Sequence, residues 1–70
     1  MKISARNVLP GTITEVNTGA VNSIVRIDIG GGTIVTASIT NDAVAQLGLK
    51  VGEKASAVIK ASDVMIGVDD

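Results

Sequence analysis

The stretch "AVNSIVRIDIGGGTIVTASIT" dictates more of this fold than any other part of the chain. It alternates with a period of two: Val21, Ser23, Val25, Ile27 and Ile29 fall on one face, and Asn22, Ile24, Arg26 and Asp28 on the other. Side chains of a strand point to opposite faces in turn, so the pattern predicts a half-buried strand. Gly30, Gly31 and Gly32 follow at once, and glycine reaches the positive φ of a tight hairpin without steric cost. "TIVTASI" then returns as the partner strand, rich in β-branched residues.

The remaining elements are read around this hairpin. "KISARN" and "GTITEVNTG" predict two strand pieces interrupted at Leu9-Pro10-Gly11, where proline marks an edge, a bulge or a bend; a single strand bent at a barrel corner also fits. Asn17-Thr18-Gly19 makes the turn into the hairpin. "TNDAVAQLGLKVG" is the one helical stretch: Thr40 caps it, Asp42 lies in its first turn, and Gly48 ends it after two turns, with Leu49 packing back beneath. "EKASAVIKAS" and "DVMIGV" predict two more strands around a turn near Ala61-Ser62-Asp63. The expected fold is all-β, a five-stranded OB-like barrel with one short helix between strands 3 and 4, formed by residues 1–70 as one domain. An SH3-like barrel is the rival, and the position of the capped helix favours the OB reading. Closure would remove the exposed edges of such short strands.

Composition then limits what a chain like this does. It has no cysteine, no histidine and no aromatic residue, yet 46% of it is apolar. A domain this small buries only about 60% of its unfolded surface. Without staples or large side chains, the apolar surplus is expected at an interface between subunits. The absence of His and Cys removes the usual general base and nucleophile at neutral pH, so no enzyme is expected. No cluster of oxygen ligands suggests a hard metal. Nucleic-acid binding by an OB fold relies on a basic groove and stacking rings, whereas this chain has a net charge of −1 and no ring. "GGGT" lacks the lysine and following helix of a phosphate-binding loop. Nothing approaches a signal peptide or the ~20 apolar residues of a membrane span, so a cytoplasmic location is expected.

Two flanking segments stand out against this background. "ISARN" sets Ser4 beside Arg6, and "IKASD" sets Lys60 beside Ser62. A tetrahedral dianion wants hydrogen-bond donors on all sides and one or two fixed charges. Arg6 offers a planar fork suited to paired oxygens, Lys60 a second charge, and the two serines rotatable hydroxyls. Backbone N–H groups near Ala5, Asn7 and Ala61 would complete the shell. By residue type alone, an ordinary solvated edge explains the same pairs.

The "ISARN" opening, the Gly11 that follows Leu9, the Gly19-Ala20-Val21 turn, "TNDAVAQLGL" and "VGEKASAVIKASDVMI" together resemble the molbindin (Mop) family of small molybdate-binding domains over the whole chain. The resemblance implies an OB-like fold that assembles as a homo-hexamer, a trimer of dimers. Such hexamers hold molybdate or tungstate oxyanions at subunit interfaces, with no organic cofactor. Carried onto this sequence, the principal site is Ser4, Ala5 and Arg6 from one subunit facing Lys60, Ala61 and Ser62 from a neighbour. A second class of site is placed on Gly19, Ala20 and Val21 with Ser38, Ile39 and Thr40, which turn and cap chemistry would equally explain. Relatives often carry Gln where Val8 stands here, so position 8 is given no ligand role. The resulting expectation is intracellular oxyanion storage and homeostasis. An oligomeric structural module whose Arg and Lys pair with acids such as Asp63 is the first alternative. An oligonucleotide-binding OB domain is the second.

Overall fold

The computed structural model describes residues Met1–Asp70. Four strands and one helix succeed one another: β1 (Asn7–Thr18), β2 (Asn22–Asp28), β3 (Ile34–Thr40), α1 (Asn41–Leu47) and β4 (Lys54–Ile59), followed by a 3-10 turn at Ala61–Asp63. All pairings are antiparallel and the sheet order is β3-β2-β1-β4.

The hairpin forms as the alternation predicts. β2 and β3 pair from Asn22↔Thr40 to Asp28↔Ile34, and Ser23, Val25 and Ile27 are buried while their neighbours are not. At the tip the glycines adopt φ of 114°, 61° and 80°, which side chains with a Cβ rarely tolerate. The Asp28 carboxylate accepts from the Gly30 amide at 2.8 Å, an Asx-type turn that fixes the entry to the loop. The helix also follows its local signals. Thr40 Oγ1 accepts from the Ala43 amide at 3.1 Å, Gly48 closes the helix at φ 64°, and the Leu49 amide donates to the Val44 carbonyl at 3.1 Å.

β1 is a single strand, not two pieces, and it changes partner midway. Asn7 to Thr12 pair with β4, and Thr12 to Thr18 pair with β2. Thr12 alone stands on both ladders, opposite Lys54 and Asp28. Pro10 therefore lies where β1 has a neighbour on one side only, the edge-like setting in which a missing N–H is tolerated. Gly11 sits at the crossing, where a Cβ would lie 2.3 Å from the Asp28 carbonyl oxygen. The register shift between Ile13 and Glu15 adds a bulge that turns the strand further.

The expected fifth strand is not formed. "DVMIGV" carries strand-like residues, yet residues 64–70 pair with nothing, and Met65, Ile66 and Val68 are 91%, 88% and 88% exposed. β3 and β4 also remain unpaired with each other, so the sheet stays an open half-barrel and not the closed five-stranded one. A strand exists only through its partner's hydrogen bonds, and residue pattern alone does not supply a partner. "KISARN" is likewise shorter than expected as a strand, with only Asn7 inside β1.

Five of the seventy residues are buried: Ile13, Val25, Ile27, Ala57 and Ser23. Between the free edges of β3 and β4 runs an apolar cleft of about 580 Å³, lined by residues such as Val35, Ile39, Leu47, Leu49, Ala55 and Ile59. Its walls are the inward faces of both edge strands, with α1 and the following loop at one end.

Candidate functional site

The first rung of the β1–β4 ladder is Asn7↔Ile59. Because the ladder is antiparallel, residues 4–6 and residues 60–62 leave it from the same end. The register thus starts the two predicted segments from the same end of one chain's ladder. Ser4, Arg6, Lys60, Ala61 and Ser62 are exposed and Ala5 is half-buried. Lys60 is extended (φ −63°, ψ 137°) and its carbonyl accepts from the Asp63 amide at 2.9 Å, which starts the 3-10 turn. As the opening residues of that turn, Ala61 and Ser62 have amides that enter none of the turn's hydrogen bonds.

Neither cation at this end has an acidic partner. The single ion pair of the chain joins Arg26 to Glu15, on the β1–β2 ladder, and Asp63 pairs with neither Arg6 nor Lys60. Two cationic residues, two serines and two amides outside the turn's hydrogen bonds thus lie in the segments that leave one exposed end of the sheet. Sequence reasoning passed over the residue that ties this end together: the Asn7 side chain, whose Nδ2 donates to the Ile59 carbonyl at 3.2 Å. No signal in the residue order pairs position 7 with position 59.

The second predicted group is also brought together, with different chemistry. The rung Asn22↔Thr40 sets the 19–21 turn beside residues 38–40. Most polar groups here satisfy one another. The Gly19 amide donates to the Asn22 carbonyl at 2.8 Å, and the Asn41 amide to the Val21 carbonyl at 2.8 Å. Asn41 Nδ2 donates to the Gly19 carbonyl at 2.9 Å, and its Oδ1 accepts from Ser23 Oγ at 2.5 Å. Thr40 Oγ1 is occupied as the helix cap, leaving the Ala20 and Val21 amides and the exposed Ser38 hydroxyl outside these bonds. Asn41 is the hub that the sequence reading missed. A signal existed in Ser23: a hydroxyl on an otherwise apolar strand face needs a buried partner.

The two groups stand at opposite ends of β1, whose 12 residues span up to roughly 40 Å when straight. No group of three or more acidic side chains gathers to hold a metal ion. No helix is long and apolar enough to cross a membrane.

Residues 3–66 match the model of the TOBE domain. The chain is 51% identical over 69 residues to a probable molybdenum-pterin-binding protein of Haemophilus influenzae, covering 99% of this chain and 100% of that one. Among solved structures it is similar to MopII from Clostridium pasteurianum, with a TM-score of 0.89 at 42% identity over 96% of this chain and all of that one. It also matches the cytoplasmic molybdate-binding protein ModG, in a molybdate-bound form, with a TM-score of 0.93 at 54% identity. That match covers 99% of this chain and 49% of ModG, so the chain spans about half of that protein. Near-complete coverage at this identity is decisive for kinship: the chain belongs to the TOBE-domain family, among its molybdenum-pterin-binding (Mop) members.

Proposed function

We propose that this chain binds molybdate, without catalysis, at the end of the β1–β4 ladder. The observation that carries the reading is the Asn7↔Ile59 register, from which the Ser4–Arg6 and Lys60–Ser62 segments leave the same end of the ladder with both cations unpaired. A tetrahedral dianion takes its stabilisation from charged hydrogen bonds, worth about 1.5–3 kcal/mol each. A five-atom ligand is limited to roughly −7.5 kcal/mol by the efficiency bound, which corresponds to about micromolar affinity. Tungstate, of the same shape and charge, is proposed as an equivalent ligand. A pterin ring is less suited to these residues, since no aromatic side chain is available to stack on it.

The binding form is proposed to be an oligomer, a hexamer built as a trimer of dimers. The apolar 64–68 segment and the open cleft between β3 and β4 support it. Residues 64–68 of one copy would add the missing strand to another and close the OB-like barrel, burying Met65 or Ile66 in the process. A neighbouring subunit would then cover the exposed side of the anion, making the site interfacial even though one chain gives both cationic segments. The second class of site, at residues 19–21 and 38–40, is proposed at a contact between copies, on the amides and hydroxyl that Asn41 leaves unengaged. Intracellular storage and homeostasis, in the cytoplasm, is the role proposed for such an assembly.

Calorimetric titration with sodium molybdate is the direct test. Binding near micromolar affinity, displaced by tungstate and weakened roughly a hundredfold in Arg6→Ala, is expected. No heat from the wild-type protein, in a range where folded oligomer is confirmed, would overturn the reading.

A further inference from the structure

We infer that Asn7 is a positioning residue for the anion, acting through the backbone and not by touching the ligand; the inference rests on the oxyanion reading of the β1–β4 end. Asn7 directly follows Arg6, and Ile59 directly precedes Lys60. The half-buried bond from Asn7 Nδ2 to the Ile59 carbonyl therefore joins the two positions adjacent to the two cations, across a sequence separation of 52. It lies on a terminal rung of its ladder.

Three features of this rung call for a side-chain clip. The ends of a ladder open first, because the terminal rung has a neighbour on one side only. Arg6 and Lys60 carry like charges and neither has an acidic partner, so no ion pair helps to hold this end of the ladder closed. Just beyond Ile59, Lys60 caps the 3-10 turn with no side-chain hydrogen bond, so nothing else in that turn's cap ties it to β1. The opposite end of the same ladder has its own side-chain link, Lys54 Nζ donating to Thr12 Oγ1, but it is long at 3.4 Å and exposed. Closing the Asn7 clip holds residues 4–6 and 60–62 at one spacing before the anion arrives. Less ordering is then left for the binding step, and affinity rises accordingly.

The test is a double-mutant cycle read by molybdate calorimetry on the full chain: wild type, Asn7→Ala, Ser62→Ala and the double variant, with Arg6→Ala as a reference. Asn7→Ala is expected to weaken binding about tenfold, the lower range for residues that orient ligating groups. The loss caused by Ser62→Ala should be smaller in the Asn7→Ala background than in wild type, since Ser62 is then no longer held in place. A side chain that merely supports the fold would lower the melting temperature and leave the cycle additive. Asn7→Leu, which keeps the volume and removes the donor, repeats the measurement should alanine loosen the strand end. Unchanged affinity in both Asn7 variants, or strict additivity, overturns the positioning role while Arg6→Ala still loses binding. If Arg6→Ala binds as wild type, the oxyanion reading itself falls.

Discussion

The two ends of β1 carry similar residue types and use them in opposite ways. At the Thr18 end, Asn41, Ser23, Gly19 and Thr40 bond to one another, and the polar atoms of the turn are largely satisfied inside the chain. At the Asn7 end, Arg6 and Lys60 have no acidic partner, and Ser4 and Ser62 make no side-chain hydrogen bond. Serine beside a charged or amide residue is thus not informative until its partners are known. Where the partners lie within the chain, the group builds structure; where they are missing, it stands ready for something outside.

Four measurements would break or sharpen that contrast. The largest effect is expected for Arg6→Ala and for Lys60→Ala, each removing charged hydrogen bonds worth about 3 kcal/mol and weakening molybdate binding by roughly a hundredfold, with melting temperature little changed. Under the single-chain reading, reassembling the two variants together should restore no sites; recovery of a fraction would show that the segments come from different chains.

Asn41→Ala should show the reverse pattern. It strands the buried Ser23 hydroxyl and frees the 19–21 turn, so unfolding in denaturant should reveal a loss of about 2 kcal/mol, while affinity at the Asn7 end is retained. A large fall in affinity instead would mean that the two ends are coupled along β1. Thr40→Ala removes only the helix cap, for about 1 kcal/mol in the same assay.

The smallest effect is expected from pH. With no histidine in the chain, no side chain has an ordinary titration between about pH 5 and 8. Molybdate affinity should stay nearly flat across that range, and a steep dependence would mean that other groups ligate the anion.

What could be read from residue order divides along a physical line. The hairpin, the glycine turn, the Thr40 cap and the Gly48 stop were all legible, because each depends on residues within a few positions of one another. The strand at residues 64–68 was not formed as expected, because its pattern specifies an apolar segment but not which edge will receive it. Leu9-Pro10-Gly11 reads as an edge, a bulge or a bend; the strand runs unbroken through it with Pro10 in an edge-like setting, and the change of partner at Thr12 is encoded by no local pattern. Arg6 and Lys60 were picked out by residue type and by family likeness. That both segments leave one end of a single ladder depends on a register between positions 7 and 59, and so does the role proposed for Asn7.

The single shared rung at Thr12 leaves the molecule as two ribbons joined along one spine. Each ribbon keeps its own alternation of inward and outward side chains, and the bulge between Ile13 and Glu15 falls inside the β1–β2 ribbon, after its Thr12 and Ile13 rungs. One residue inserted there would shift the rungs from Glu15 to Thr18 against β2 and leave every β1–β4 rung in place. The Asn7 end and the hairpin end can therefore vary as separate modules, provided the count of residues across that short bridge stays fixed.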